Sequence, residues 1–417
     1  LSAPDADRRV AALYEALPYP ARDPRDEARR LLVGTPSHRR EIDHFLFAGR
    51  RDWRQPFRVL VAGGGTGDGT VMIAQQMADL GCPAAITHLE PSEAARKVAA
   101  ARLERRGLTM VSIDPRPIEA LDPARDGPFD HVDCCGVLHH LADPAAALRR
   151  LAAVLAPTGG IGAMVYGRLG RSGVYEMQAC LAELTGDLDV VRATDLARRL
   201  LADLPPTAPL ARNPVVRDHV DGGAAGIADL LLHPRDRAFD AAEVAALIAG
   251  AGLRLIGFLP PAQYDPDSYV RHPEARRRLA ALDPIGRAVW AERFAGNLAR
   301  HAFYAVRADN PVTPPTLDDP AVVPALRDGD PAAVADAIGT SGHISINLDG
   351  LSLSLPVPRQ AGTVVRRLDD RRNLKLITDE LVATAVLRDP AAAMAAVRDT
   401  LRPLIAMNLV TLRLPVP

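Results

Sequence analysis

The chain has 417 residues, which at roughly 150 per domain predicts two or three domains. Lys+Arg total 50 against 51 Asp+Glu, for a net charge of −1, so charge gives no reason to expect nonspecific binding of nucleic acid or an anionic membrane. Hydrophobic residues at 48% and charged residues at 24% fit a chain with a sizeable core, while the near absence of lysine (only Lys97 and Lys375) reads as coding bias.

Residues 6–17 predict a short amphipathic helix, ended by Pro18-Tyr19-Pro20. Helical patterning continues over 24–53, where Ile42, Phe45 and Leu46 fall at i, i+3, i+4. A strand at 57–62 runs into Gly63-Gly64-Gly65-Thr66-Gly67-Asp68-Gly69 and then a helix at 70–80. Next come a strand at 85–89 that stops at Glu90, a helix at 92–106, and strands at 109–113 and 131–135. A helix at 144–155, a turn at 157–160 and a strand at 161–166 follow. Strands alternating with helices of this length predict an α/β fold, a parallel sheet covered on both faces.

Residues 174–230 are helical but broken by prolines and glycines, and read as an insertion reaching to about 235. A helix at 240–250 and strands at 253–259 and 301–307 come next, and the proline-rich stretch Asn310 to Asp319 marks a linker. Beyond it, 344–348 and 351–355 form a hairpin about Asp349-Gly350, and helical segments at 363–370 and 391–407 precede an alternating tail at 409–414. The expected organisation is a helical N-terminal cap (1–56), a main domain (57–309), and a small α+β C-terminal domain (320–417), winged-helix-like in its element order.

Cys82, Cys134, Cys135 and Cys180 make no C-x-x-C pair and no zinc spacing, so no metal site or disulfide framework is expected. The first residues are polar, without a signal-like apolar core, and no apolar run reaches the roughly 20 residues of a membrane helix. A cytoplasmic protein is the expectation.

The glycines after the first strand let a ligand approach the backbone, and the following helix offers free N–H groups. The dinucleotide fingerprint G-x-G-x-x-G fails in both frames, since it would need glycine at Asp68 or Thr70. The pattern present is G-x-G-x-G at Gly63, Gly65 and Gly67, which suits a nucleoside without a pyrophosphate, such as S-adenosylmethionine, or a tight strand–helix turn. Glu90, at the end of the second strand, is placed to accept hydrogen bonds from both ribose hydroxyls.

Phe129-Asp130-His131-Val132, then Gly136-Val137-Leu138-His139-His140-Leu141-Ala142-Asp143-Pro144, then Leu155-Ala156-Pro157-Thr158-Gly159-Gly160 resemble the later motifs of class I S-adenosylmethionine-dependent methyltransferases. With the glycine segment and Glu90, the resemblance runs in order over about 57–166, and 251–258 and 301–306 resemble the family's last two strands. It implies a Rossmann-like seven-stranded sheet whose last strand is antiparallel, with S-adenosyl-L-methionine as cofactor. The residues it places there are Gly63, Gly64, Gly65, Thr66, Gly67, Glu90, Pro91, Ile118, Glu119, Gly136 and Val137. Two departures stand out: the acid usual two residues before the first glycine is Val61, and the acid usual after the third strand is Pro117.

Methyl transfer is an in-line displacement aided by positioning, and a general base matters only for a protonated or hydroxyl acceptor. His139, His140 and Tyr166 are the candidate catalytic residues, although the His-His pair also reads as a structural turn. The loop from Tyr166-Gly167-Arg168 to Gly173-Val174-Tyr175 either orients an anionic substrate or folds as a lid. Candidate substrate contacts are Tyr14, Tyr19, Arg168, Tyr175 and His233. The expected function is methyl transfer to a protein side chain or a small molecule. The alternative is a regulatory or scaffold protein that binds the cofactor without turnover, motivated by Val61 and Pro117. The C-terminal domain is expected to serve dimerisation or docking of a protein partner.

Overall fold

The computed structural model describes residues 3–339 and 342–415. They form two compact units: the described residues up to 38 with 53–255 and 292–308, and residues 39–52 and 256–291 with the described residues from 309 onward.

Helices α1 (Ala3–Ala16) and α2 (Arg39–Leu46) precede the sheet. Strand β1 (Phe57–Ala62) leads into α3 (Asp68–Leu80), β2 (Ala84–Leu89) into α4 (Glu93–Arg106), and β3 (Val111–Asp114) is followed by β4 (Phe129–Cys135). Helix α5 (Pro144–Ala153) and β5 (Leu155–Tyr166) continue the alternation. The helix starts are chemically marked: the Ser92 and Asp143 side chains accept from the N–H groups of Ala95 and Ala146, and Pro144 sits where a missing N–H costs nothing.

The strand order is β3-β2-β1-β4-β5, then β7 (Arg300–Arg307) and β6 (Leu253–Leu259). Strands β1 to β5 pair in parallel and β7 runs antiparallel to β5, so the seven-stranded sheet and its reversed last strand are as expected. Leu60, Ile86, Val132, Ile161 and Phe303 are fully or almost fully buried, as in a sheet covered on both faces. The turn expected at 157–160 is instead part of β5: the register jumps from Phe129↔Leu155 to His131↔Gly160, so Pro157–Gly159 is accommodated as a bulge.

Between β5 and β6 lie α6 (Val174–Thr185), α7 (Val190–Ala202), the single turns α8 (Pro209–Arg212) and α9 (Asp218–Asp221), α10 (Gly223–Leu231) and α11 (Ala241–Gly250). The segment up to α10 has its own apolar cluster, including Leu181, Ala197, Leu210, Ile227 and Leu230. Helices α12 (Pro273–Ala280) and α13 (Pro284–Ala295) precede β7.

The second unit contains α2, β8 (Val323–Leu326), α14 (Pro331–Ile338), the hairpin β9 (His343–Leu348) and β10 (Leu351–Pro356), α15 (Ala361–Val365), α16 (Leu374–Ala383), α17 (Pro390–Ala406) and β11 (Val410–Arg413). Strand β11 pairs antiparallel with β8, a strand that sequence patterning did not reveal because four residues containing Pro324 follow a proline-rich stretch. Leu374, Ile377, Leu381, Val397, Leu401 and Leu412 supply its core. Residues 39–52, read from the sequence as part of an N-terminal cap, belong to this unit: buried Glu41 accepts from Asn408 at 2.7 Å and from Arg327 at 3.1 Å. Among the described residues no helix is long and apolar enough to cross a membrane.

Candidate functional site

The strand order reverses between β1 and β4, and a cavity of about 1030 Å³ opens near the carboxyl ends of these strands. Gly63, Gly64 and Gly65 line it. Gly65 has φ +51°, and a Cβ there would fall 2.9 Å from the Tyr19 carbonyl oxygen, so both conformation and space call for glycine. Thr66 and Gly67 stand behind this wall rather than in it: the Thr66 hydroxyl donates to the Pro20 carbonyl at 2.7 Å, and Gly67 abuts Ala99. The loop is fixed from the rear by Arg102, only 1% exposed, which donates to the Thr66 carbonyl at 2.9 Å and pairs with Asp68 and Glu27, each at 2.6 Å. Such a buried guanidinium needs both carboxylates and the carbonyl to offset its desolvation.

Glu90 follows β2 and faces the cavity. Its Oε2 accepts from the Gly65 N–H at 2.9 Å and its Oε1 from the Ser92 N–H at 2.8 Å. Burial pushes its carboxyl upward, opposed by those two backbone donors. Pro91 lies beside it. Ile118 and Glu119 open a 3-10 turn on the same wall, where Arg116 ties Asp114 (2.7 Å) to Asp126 (2.8 Å) and so fixes the loop. Gly136 and Val137, just past β4, complete this end together with Asp133 and Ser37.

The other end is made of side chains. Asp229, 2% exposed on α10, accepts from the Tyr14 hydroxyl at 2.9 Å and the Tyr166 hydroxyl at 3.1 Å. The Tyr19 hydroxyl donates to Asp218 at 2.8 Å. The Arg171 guanidinium stacks 3.7 Å over the Tyr166 ring and pairs with Asp236 at 2.6 Å. Burial raises the carboxyl of Asp229 and the phenols of Tyr14 and Tyr166. His140 also lines the cavity, and its Nδ1 donates to the Arg235 carbonyl at 3.0 Å.

Besides Thr66 and Gly67, four residues expected at the site are not among those lining the cavity. His139 is fully buried and stacked on Tyr166 at 3.7 Å, with its Nδ1 accepting from the Tyr166 N–H at 3.3 Å; burial holds its pKa well below the usual value. His233 supports His140 from behind, ring centroids 3.8 Å apart. Tyr175 accepts from Arg171 at 3.3 Å, and Arg168 pairs with Glu243 at 2.5 Å. Sequence reasoning missed Asp133, Asp229, Arg171 and Ser37. A signal existed for the two acids: Asp229 is the lone charge in the helix GAAGIADLL, and Asp133 sits between Val132 and Cys134 in a strand bound for the sheet's interior.

Residues 60–161 match the family model described as a methyltransferase domain. An uncharacterized protein of Synechococcus sp. is 31% identical over 267 residues, 62% of this chain; the chain spans only 61% of that relative's length. PKMT2 from Rickettsia typhi has a similar structure, with a TM-score of 0.63 and 15% identity over 92% of this chain and 75% of its own. The same protein in complex with AdoHcy gives 0.64 and 14%, over 92% and 76%. At that identity the likeness establishes the fold.

Proposed function

From the premise that residues 60–161 carry a class I, S-adenosylmethionine-dependent methyltransferase domain, we propose that the protein transfers a methyl group from S-adenosylmethionine to an acceptor entering at the tyrosine end of the cavity. One observation carries the reading: the glycine loop, Glu90, Ile118–Glu119 and Gly136–Val137 line a single cavity that also contains Tyr14, Tyr166 and Asp229. Its volume of about 1030 Å³ sits at the top of the roughly 300–1,000 Å³ typical of single-ligand pockets, and so leaves room for cofactor and acceptor together. The AdoHcy held by the structurally similar PKMT2 supports the same choice of cofactor.

The residues present fit that cofactor. The Gly63–Gly65 backbone would offer close approach, the Glu90 carboxylate would accept from ribose hydroxyls, and Ile118 would give the base an apolar surface. When bound, S-adenosylmethionine supplies an electrophilic methyl on a sulfonium. The chain's own task is then to orient the acceptor and keep water out. Tyr14 and Tyr166 direct the Asp229 carboxylate into the cavity, where it receives a proton from an amine or hydroxyl acceptor.

Fold likeness does not name the acceptor. The test is transfer of a labelled methyl group from S-adenosylmethionine into a cell lysate, separated into protein and small-molecule fractions. Label in either fraction supports the reading and tells a protein side chain from a metabolite. Cofactor binding without any transfer would instead favour a regulatory or scaffold role.

A further inference from the structure

Strand β1 carries Val61 two residues before Gly63, so it offers no carboxylate to the cavity. The neighbouring strand does. Asp133 on β4 is the direct register partner of Val61 in a parallel pair, and residues in register on adjacent strands project from the same face. Both residues line the cavity.

Asp133 is built into this position. It is 2% exposed; one oxygen accepts from the Ser37 hydroxyl and the other from the Cys135 N–H at 3.0 Å. The first turn of α3 presses close, since a Cβ on Gly69 would lie 2.8 Å from the Asp133 Oδ2. Two donors leave about half of a carboxylate's acceptor positions open. Among the described residues no arginine, lysine or histidine forms an ion pair with it, whereas the buried carboxylates Glu27, Glu41 and Asp236 each have an arginine. A buried carboxylate facing a ligand cavity without a countercharge is costly until a cation arrives. Burial accordingly raises its pKa to about 6.

We propose that Asp133 receives the α-ammonium group of the cofactor's methionine moiety, a contact moved one strand over from the position that Val61 leaves apolar. The proposal rests on the methyltransferase reading above. It also answers the doubt that Val61 raised, because the missing acid is relocated rather than lost. Ser37 acts as a positioning residue: its hydroxyl holds one carboxylate oxygen so that the remaining lone pairs face the cavity.

The test compares two nucleosides on the intact chain by calorimetry: S-adenosylhomocysteine, which has the ammonium group, and 5′-methylthioadenosine, which lacks the whole amino-acid moiety. In Asp133→Asn, S-adenosylhomocysteine should bind about thirtyfold or more weakly, the loss usual for a buried charge pair, while 5′-methylthioadenosine changes by less than about threefold. The double variant Val61→Asp/Asp133→Asn, which returns the acid to the first strand, should recover at least about tenfold of the lost affinity. Equal losses for both nucleosides, or no loss for either, would overturn the assignment, as would a folded double variant that recovers nothing. Failure of the unaltered chain to bind either nucleoside would defeat the methyltransferase reading itself, a result distinguishable from all of these.

Discussion

The two ends of the cavity are made by different means. The proposed cofactor end is largely backbone and strand termini, Gly63–Gly65 and Gly136–Val137, with the carboxylates Glu90, tied to two main-chain N–H groups, and Asp133. The proposed acceptor end is side chains drawn from α1, the end of β5 and the helical insertion, with Asp229 joined to Tyr14 across 215 residues of sequence and to Tyr166 across 63. An end made from the carboxyl termini of adjacent strands is held in place by the sheet itself. An end made from side chains on three separate segments is free to change with each insertion. The first should therefore govern cofactor affinity and the second the rate and identity of the acceptor.

That division can be broken. The largest effect is expected from Asp229→Asn, which keeps the shape but removes the charge: methyl transfer should slow by about a hundredfold, as for loss of a proton acceptor. Cofactor affinity, read by calorimetry, should move by less than about threefold. A parallel fall in affinity would mean the ends are not separate. Glu90→Ala should do the reverse, weakening cofactor binding by about 2–3 kcal/mol through loss of hydrogen bonds to a charged group. Unchanged affinity would show that the ribose lies elsewhere.

Tyr166→Phe keeps the ring under Arg171 and deletes only the hydroxyl that donates to Asp229. Steady-state kinetics should show a loss of about tenfold or less, with cofactor affinity retained.

The smallest effect lies within β4, at a buried residue that does not line the cavity. Burial lowers the His131 pKa to about 3, against roughly 6.5 in the unfolded chain. Between those values the unfolded state holds the extra proton, so stability falls as pH falls, by at most about 1.4 kcal/mol per pH unit. Urea unfolding near pH 7 and near pH 5 should give a shallower pH slope for His131→Phe than for the unaltered chain; an identical slope would contradict burial as the cause.

The same contrast explains what was legible in the sequence. The sheet, its reversed last strand and the glycine–Glu90 arrangement could be read because each leaves a short pattern within or at the end of a strand. Asp229 escaped because its partners are fixed by the path of the insertion, which proline and glycine breaks do not encode. Thr66 shows a subtler limit: it lies inside the motif, yet its hydroxyl secures Pro20 rather than facing the cavity. Strand β8 and helix α14 were hidden for another reason, since short elements after a proline-rich stretch carry too few residues to establish a period.

The most direct measurement is calorimetric titration of the intact chain with S-adenosylmethionine, its demethylated product and NAD. The proposed site should bind the first two at a one-to-one ratio and leave NAD unbound, because the third glycine of the dinucleotide fingerprint is Asp68 or Thr70 here. Binding of NAD alone would contradict the account.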